Sequence, residues 1–490
     1  MKTNSLDFDA QALRERILDL AMRGKLVPQD PNDEPASVLL DKIKAEKAEL
    51  IKEKKIKKTK SLPPITDDEK PFDIPDSWEW VRLGDVINLV SGRDIPKKYH
   101  LSSKSLNSVP YITGASNINE DGQITISEWI KDPSVLVKRG TLLLSVKGTV
   151  GKIAKLEIPE AHIARQIMGI ENVYNLDLDF QKYFLESYIE KLKKKAKSMI
   201  PGVSREDILL ANIPVPPLSE QNRIAAKIAQ LFALLRKVET SVKQYAELQT
   251  LLKSKVLDLA MRGKLVKQDP NDEPASVLLE KIKVEKAELV REKKIKKSKP
   301  LPPITDEKKP FDIPDSWEWV RLGNIVSYQN GYAYKSSELV KIRKGLPVIK
   351  SQNIMTLKVI IKDNNDYVKE PNEKMLNSKI IKGDLLMCLS SQSKNPEPLG
   401  KTAIYDLDKP ALLNQRVLKL KLINHSMTDL IYYFINSSWF HFTVSHRGSG
   451  SGQSNLKLGD VMNMPIPVPP LNEEKHIVNR IEILFKKLSN

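Results

Sequence analysis

Between Leu218 and Gly263, apolar side chains return at spacings of four and three. Ile224, Ile228, Leu231, Leu235, Val238, Val242, Tyr245, Leu252, Val256 and Leu259 fall on one seam, and Gln249 takes a slot that calls for an apolar residue. A heptad pattern held over several repeats predicts a coiled-coil helix. Ser219 reads as its N-cap, with Glu220 in the first turn against the helix dipole. Asn472, Glu473 and Glu474 repeat that start near the far end of the chain. Gly263 suits the C′ position after Arg262. About 43 residues at ~1.5 Å each make a rod of roughly 65 Å. Gln249 has two readings: a buried polar residue that sets register, or a half-exposed one that does not.

A second helix opens at Asp272-Glu273-Pro274-Ala275-Ser276, whose acids and proline suit a first turn. Val277, Leu278, Ile282, Leu289 and Val290 form its apolar face, and it runs out in REKKIKKSK. Its counterpart extends from Asp33 to about Lys58. Such lysine runs read as solvated helix ends, or alternatively as phosphate contacts. VPYITGASNI and TLLLSVKGTVGKIAKLEI are β-branched runs broken by glycine, which predicts strands. LPVIKSQNIM and GDLLMCLSSQ hold matching places in the second half, and QKYFLESYIEKLKKKA and TDLIYYFINSSWFHFTV predict short helices.

These elements occur twice. PFDIPDSWEWVRLG stands at residues 71–84 and again, letter for letter, at 310–323. LDLAMRGKLV starts at Leu18 and Leu257, QDPNDEPASVLL at Gln29 and Gln268, and LPPITD at Leu62 and Leu301. A closing motif, IPVPPLSEQNRIA at Ile213 and IPVPPLNEEKHIV at Ile466, repeats in a longer register. The centre of the chain therefore holds the closing and opening motifs in succession, while each end holds one of them. This is a two-unit ring cut inside a helical region. It predicts pseudo-twofold symmetry with the termini close together. Trp78 and Trp80 read as packing a domain's first strand onto the helical frame.

Composition narrows the class. The 490 residues allow two to four domains. No apolar run reaches the ~18 residues of a membrane span. The start MKTNSLDFDAQALRER has no apolar segment of a signal peptide. One cysteine, Cys388, excludes a disulfide framework and a cysteine-based zinc site. Together these place the chain in the cytoplasm, away from membranes. A formal charge of +17 points to a polyanionic partner, with a lysine-rich solvated surface as the plainer reading.

The common catalytic signatures are missing. EPLGKT at Glu397–Thr402 lacks the leading glycine of a phosphate loop, since Asn395 stands there, and GTVGK at Gly148 fails likewise. His441 and His446 are five apart and do not share a helix face. There is no GxSxG elbow and no Asn/Asp-Pro-Pro-Tyr motif of an amino-methyltransferase. The expectation is that no catalytic residue and no metal site exist in this chain.

The loops of the two divergent segments carry base-reading and phosphate-binding residue types instead. The first has Arg93, Lys97, Lys98, Lys104 and Lys147. The second has Tyr332, Tyr334, Lys335, Lys350, Gln352, Asn353, Gln392, Lys394, Arg447, Gln453 and Asn455. Arg and Lys suit guanine edges, and Asn and Gln adenine edges, in a major groove.

The IPDSWEWVRLG opening, the IPVPPLSEQNRIA closing with its helix, and the permuted halves resemble the specificity (S) subunit of a type I restriction–modification system. The resemblance spans nearly the whole chain. It implies an α+β fold: two globular mixed α/β DNA-recognition domains separated by long antiparallel coiled-coil helices. The expected divisions are a helical half-repeat at 1–70, recognition domains at 71–217 and 301–470, central helices at 218–300, and a completing helix at 471–490. Each domain would read one half of a bipartite site on double-stranded DNA, and the helices would set the spacer. Two methyltransferase (M) subunits would bring S-adenosylmethionine, and restriction (R) subunits ATP and Mg, while this chain would bind no cofactor. Three rival readings remain: a specificity subunit of a related type IIB-like system, a stand-alone nuclease, and a coiled-coil adaptor with no DNA role.

Overall fold

The computed structural model describes residues 8–56, 61–172, 174, 176–195, 202–355, 358–392, 399–445 and 453–489. Two units emerge, Met1–Val242 and Lys243–Asn490. Each is built on the same plan.

In the first unit the helix Ala10–Met22 ends at Gly24, whose φ of 65° closes the last turn. The helix Ala36–Lys52 follows, and its first N–H, from Ala36, donates to the Ser77 carbonyl at 3.0 Å. The strand Glu79–Arg82 then pairs antiparallel with Asn212–Val215, with Trp80 opposite Pro214. The opening and closing motifs thus lie side by side, although about 130 residues separate them in sequence.

The intervening domain has two four-stranded sheets. One runs in the order Asn88–Ser91, Ile167–Glu171, Leu142–Ser145, Ile153–Lys155. The other runs Trp129–Ile130, Val109–Ile112, Glu160–Ile163, Leu136–Lys138, with one parallel pairing, Tyr111 opposite His162. Ile112, Leu143, Ala154, Ile163 and Ile167 are fully buried in a shared core. The helix Leu178–Lys195 covers the first sheet through Phe180, Phe184 and Leu185.

The second unit repeats this order. Glu318–Arg321 pairs with Pro465–Val468. One sheet runs Val326–Asn330, Val417–Leu422, Leu385–Cys388, Thr402–Ile404; the other Tyr367–Val368, Leu346–Ile349, Ala411–Leu413, Lys379–Ile380. Its additions are two small ladders, Ile354–Met355 with Lys358–Val359 and Ser390–Gln392 with Gln453–Asn455. The helices Thr428–Ile435 and Ser438–Ser445 occupy the place of Leu178–Lys195.

The predicted rod is one helix, Leu218–Met261, ending at Gly263 with φ 65°. It starts before Ser219, so Ser219 is not its N-cap, and the N–H of Gln221 is satisfied by the Pro217 carbonyl. The seam is not uniformly buried. Ile224, Ile228 and Leu235 are buried, Leu231, Val242, Val256 and Leu259 are half-buried, and Val238, Tyr245 and Leu252 are 41–48% exposed. Phe232 and Leu257, off the expected seam, are buried instead. In the first unit the partner is the helix Ala10–Met22, where Arg14 pairs with Glu239 at 2.7 Å and lies over the Phe232 ring. In the second it is the helix Leu471–Ser489, where Lys253 lies over Phe485 and Gln249 donates to the Leu488 carbonyl. In each unit a short partner helix covers only part of the rod's length. The two helices end at Lys52 and Arg291, where the predicted lysine runs begin. Lys54 and Lys293 adopt φ 59° and stop the chain from continuing as helix.

Candidate nucleic-acid interface

Both divergent domains gather their loops at one end by five matching backbone hydrogen bonds. In the first, Arg93 N–H donates to Ile163 O at 2.9 Å and Ala164 N–H to Ile112 O at 2.9 Å. Ile167 N–H closes a tight turn onto Ala164 O at 2.9 Å. Val146 N–H then donates to Gln166 O, and Val203 N–H to Val146 O, both at 2.9 Å. In the second domain the same bonds join Tyr332 to Leu413, Asn414 to Ile349, Val417 to Asn414, Leu389 to Arg416 and Leu456 to Leu389, at 2.8–3.0 Å. Four stretches distant in sequence therefore form one row. A Cβ on Gly92 would sit 2.1 Å from Ala164 O, and one on Gly331 2.1 Å from Asn414 O. Only glycine allows that approach.

Beneath the first row lies a ring cluster. Tyr111 packs between His100 and His162, with centroids 5.0 and 5.1 Å away. The Tyr111 hydroxyl accepts from Ile95 N–H at 3.2 Å. His162 is fully buried. Its Nδ1 accepts from Val135 N–H and its Nε2 lies 2.7 Å from Arg93 O. This fits the neutral Nε2–H tautomer, and burial holds its pKa below the ordinary imidazole range. The loop that carries Arg93, Lys97 and Lys98 is thus held from below by three rings that sequence reading did not single out. Their signal is parallel-strand pairing, which no local pattern reports.

The predicted residues separate into classes. Arg93, Lys97, Lys98, Lys104, Lys147, Lys335 and Gln352 are exposed. Asn353 is a correction: it is fully buried. Its Oδ1 accepts from Lys350 N–H at 2.9 Å, and its Nδ2 donates to Ile360 O at 2.8 Å and Asn365 Oδ1 at 2.7 Å. Asn117 staples the first domain in the same way, through Thr113, Gly114 and Thr125. A side chain whose polar atoms are all spent on its own loop cannot also read a base. Lys350 is held by Asp366, which Lys341 also pairs at 2.7 Å. Tyr332 and Tyr334 are half-buried against each other, and the Tyr334 hydroxyl lies 3.0 Å from Ser378 Oγ. Gln392 stands opposite Gln453 in a short ladder, with exposed Asn455 opposite Ser390. Lys394 and Arg447 fall outside the described residues.

The repeated PFDIPDSWEWVRLG lies at the joint. Arg82 reaches the Pro63 and Pro64 carbonyls, Asn212 and Glu69, and Arg321 reaches Pro302, Pro303 and Asn463. Arg23 and Arg262 cover Phe72 and Phe311 at 4.5 and 4.4 Å. Arg82 and Arg321 thus fasten the opening strand to the preceding linker and the closing motif, and Phe72 and Phe311 meet the helical repeat through Arg23 and Arg262.

The model of the family described as type I restriction modification DNA specificity domain matches residues 75–248 and 314–490. The EcoAI type I restriction enzyme specificity subunit of Escherichia coli is 33% identical, covering 98% of this chain and 89% of its own. The EcoEI specificity subunit of Escherichia coli is 29% identical over the same shares. A solved chain from work on complex assembly and conformational transition of the type I R-M system aligns with a TM-score of 0.56 at 21% identity. That alignment covers 85% of this chain and 92% of that one, and supports the fold.

Proposed function

The chain belongs to the type I restriction–modification DNA specificity family, and on that premise we propose that it is the non-catalytic subunit that reads a bipartite site on double-stranded DNA. The observation that carries this reading is the paired loop row. Two domains share five backbone bonds of one scaffold, yet present different exposed polar side chains from it. A common scaffold with unlike tips is what two independent half-site readers need.

In this reading the basic loops supply the sequence-independent phosphate attraction, consistent with the formal charge of +17. The helical frame, written twice, offers two like surfaces to two copies of a methyltransferase subunit. That subunit brings S-adenosylmethionine and the adenine-N6 methylation chemistry, and restriction subunits bring ATP and Mg. The chain itself contributes no reacting group, and it works in the cytoplasm. Among the described residues no helix is long and apolar enough to cross a membrane.

Methylome sequencing tests the assignment. A host with the intact operon should show one bipartite adenine motif, and a host lacking only this gene should lose it. Methylation that persists without the gene would overturn the proposal, as would DNA cleavage by the purified chain alone with a divalent metal.

A further inference from the structure

The sequence offers many polar loops, but the backbone bonds above select one place as the centre of each row. In the first domain it is the turn Ala164–Ile167. On one side it meets the Gly92–Arg93 loop, and on the other the Val146 loop, which in turn meets Val203. The two corner residues of that turn are Arg165 and Gln166, and both are exposed. In the second domain the equivalent turn is Asn414–Val417, and its corners, Gln415 and Arg416, are also exposed. The equivalence is anchored at both ends. Gln166 and Arg416 each give their carbonyl to the next loop of the row, at 2.9 Å from Val146 N and from Leu389 N.

We propose that Gln166 and Arg416 are the equivalent base-reading residues of the two domains, with an adenine contacted in one half-site and a guanine in the other. The inference rests on the DNA-specificity reading above and goes beyond it by naming positions and bases.

Three observations support it. The turn is rigid, because its backbone is bonded on both flanks. A reading side chain must project from a fixed base to discriminate. The side-chain chemistry matches paired recognition of purines in the major groove: an amide presents a donor and an acceptor to adenine N7 and N6, and a guanidinium two donors to guanine O6 and N7. The surroundings also make room for the first reader. Gln166 Oε1 lies where a Cβ on Gly114 would come within 2.6 Å, so only a glycine at 114 leaves its present rotamer clear.

The neighbouring corners play a different part. Arg165 is tied to Asp94, with Nε 2.7 Å from Oδ2 and its own N–H on Oδ1 at 3.1 Å. Gln415 N–H donates to Tyr332 O at 2.9 Å. Both fasten the turn to the loop beside it, Arg165 through its side chain and Gln415 through its backbone, and the matching second corner of each turn is Gln166 or Arg416.

The test uses the assembled complex with its methyltransferase subunits. The probes are duplexes carrying the motif found by methylome sequencing, together with every single-base variant of it. Gln166→Ala should lose discrimination at one A·T pair in one half-site, and Arg416→Ala at one G·C pair in the other, each by about 5- to 150-fold. All other positions should keep their preference. Arg416→Lys keeps the charge but not the planar pair of donors, so it should keep only part of the guanine preference, whereas at a phosphate contact it would leave base preference unchanged. Affinity falling equally on all duplexes, with a shallower salt dependence, would mark these residues as phosphate contacts and overturn the proposal. So would variants that read DNA like the parent. A parent complex that shows no base preference at all would instead sink the specificity reading.

Discussion

The indole Nε1 of Trp78 donates to Oε2 of Glu220 at 2.9 Å, and Trp317 makes the same bond to Glu473 at 2.9 Å. A glutamine from the helical repeat, Gln29 or Gln268, donates to the other oxygen at 2.6 Å in each case. One carboxylate thus ties together the opening motif, the closing helix and the helical half-repeat, and it does so twice. Both glutamates are buried, which raises their pKa above the ordinary carboxylate value, and the two donors oppose that rise. Replacing Trp78 by Phe keeps the ring but leaves a buried carboxylate oxygen without its donor. The cost should be about 1–3 kcal/mol in thermal or urea unfolding of the first unit. The deficit should grow as pH rises above the ordinary carboxylate range, because the deprotonated form is the one that needs the donor.

Glu474 should behave as a buried proton-holding group. It is 2% exposed, and one carboxyl oxygen has no hydrogen-bond partner. Burial and the facing Asp429 push its pKa up to about 7, against a smaller pull from Lys475. The corresponding residue of the first unit is Gln221, whose amide donates to Pro216 O and accepts from Asp177 N–H, both at 2.9 Å. A carboxylic acid can stand in for that amide only while protonated. Its folded pKa is raised, so its stabilisation is full below the ordinary value of 4.5 and is lost as pH rises through about 7. The loss is on the order of 3 kcal/mol. Glu474→Gln should remove this slope and stabilise the second unit at about pH 8, as read by melting temperature against pH.

Asn353→Ala should lower stability without shifting base preference. It strips the Lys350 N–H and the Ile360 carbonyl of their buried partner, at a cost of about 1–3 kcal/mol. Asn117→Ala should do the same in the first domain. Thermal unfolding beside a duplex panel separates this outcome from loss of a base contact.

Tyr111→Phe should loosen one reader and not the other. It removes the acceptor of Ile95 N–H while keeping the ring between His100 and His162. Amide exchange at Ile95 should speed up, and mismatch penalties should fall in one half-site only. Equal losses in both halves would count against the ring cluster as a positioning device.

Replacing residues 85–212 by the corresponding domain of another family member should change one half of the methylated motif and leave the other intact. The joint supports such an exchange. Its strand pair, Glu79–Arg82 with Asn212–Val215, lies outside most of the replaced stretch. Methylome sequencing of the exchanged strain is the readout.

The helical frame, the duplicated joint and the two-domain division were legible in the sequence, because each rests on a short-range signal. The heptad spacing from Ile224 marks a long helix, Gly263 its end, and the repeated PFDIPDSWEWVRLG the start of each domain. Burial along the helix was less legible. Val238, Tyr245 and Leu252 keep the apolar spacing yet stay exposed, because burial depends on how far the partner helices reach. Tertiary structure alone decided which loops share an end, that Asn353 faces inward, and that the turn holding Gln166 or Arg416 is the centre of each row. Those facts depend on backbone bonds between stretches far apart in the chain, such as Arg93 to Ile163 and Val146 to Gln166. The physical reason is that periodicity reports what a segment does with its own neighbours. The choice of distant partner comes from strand pairing and close glycine contacts such as Gly92 on Ala164, which leave no periodic trace.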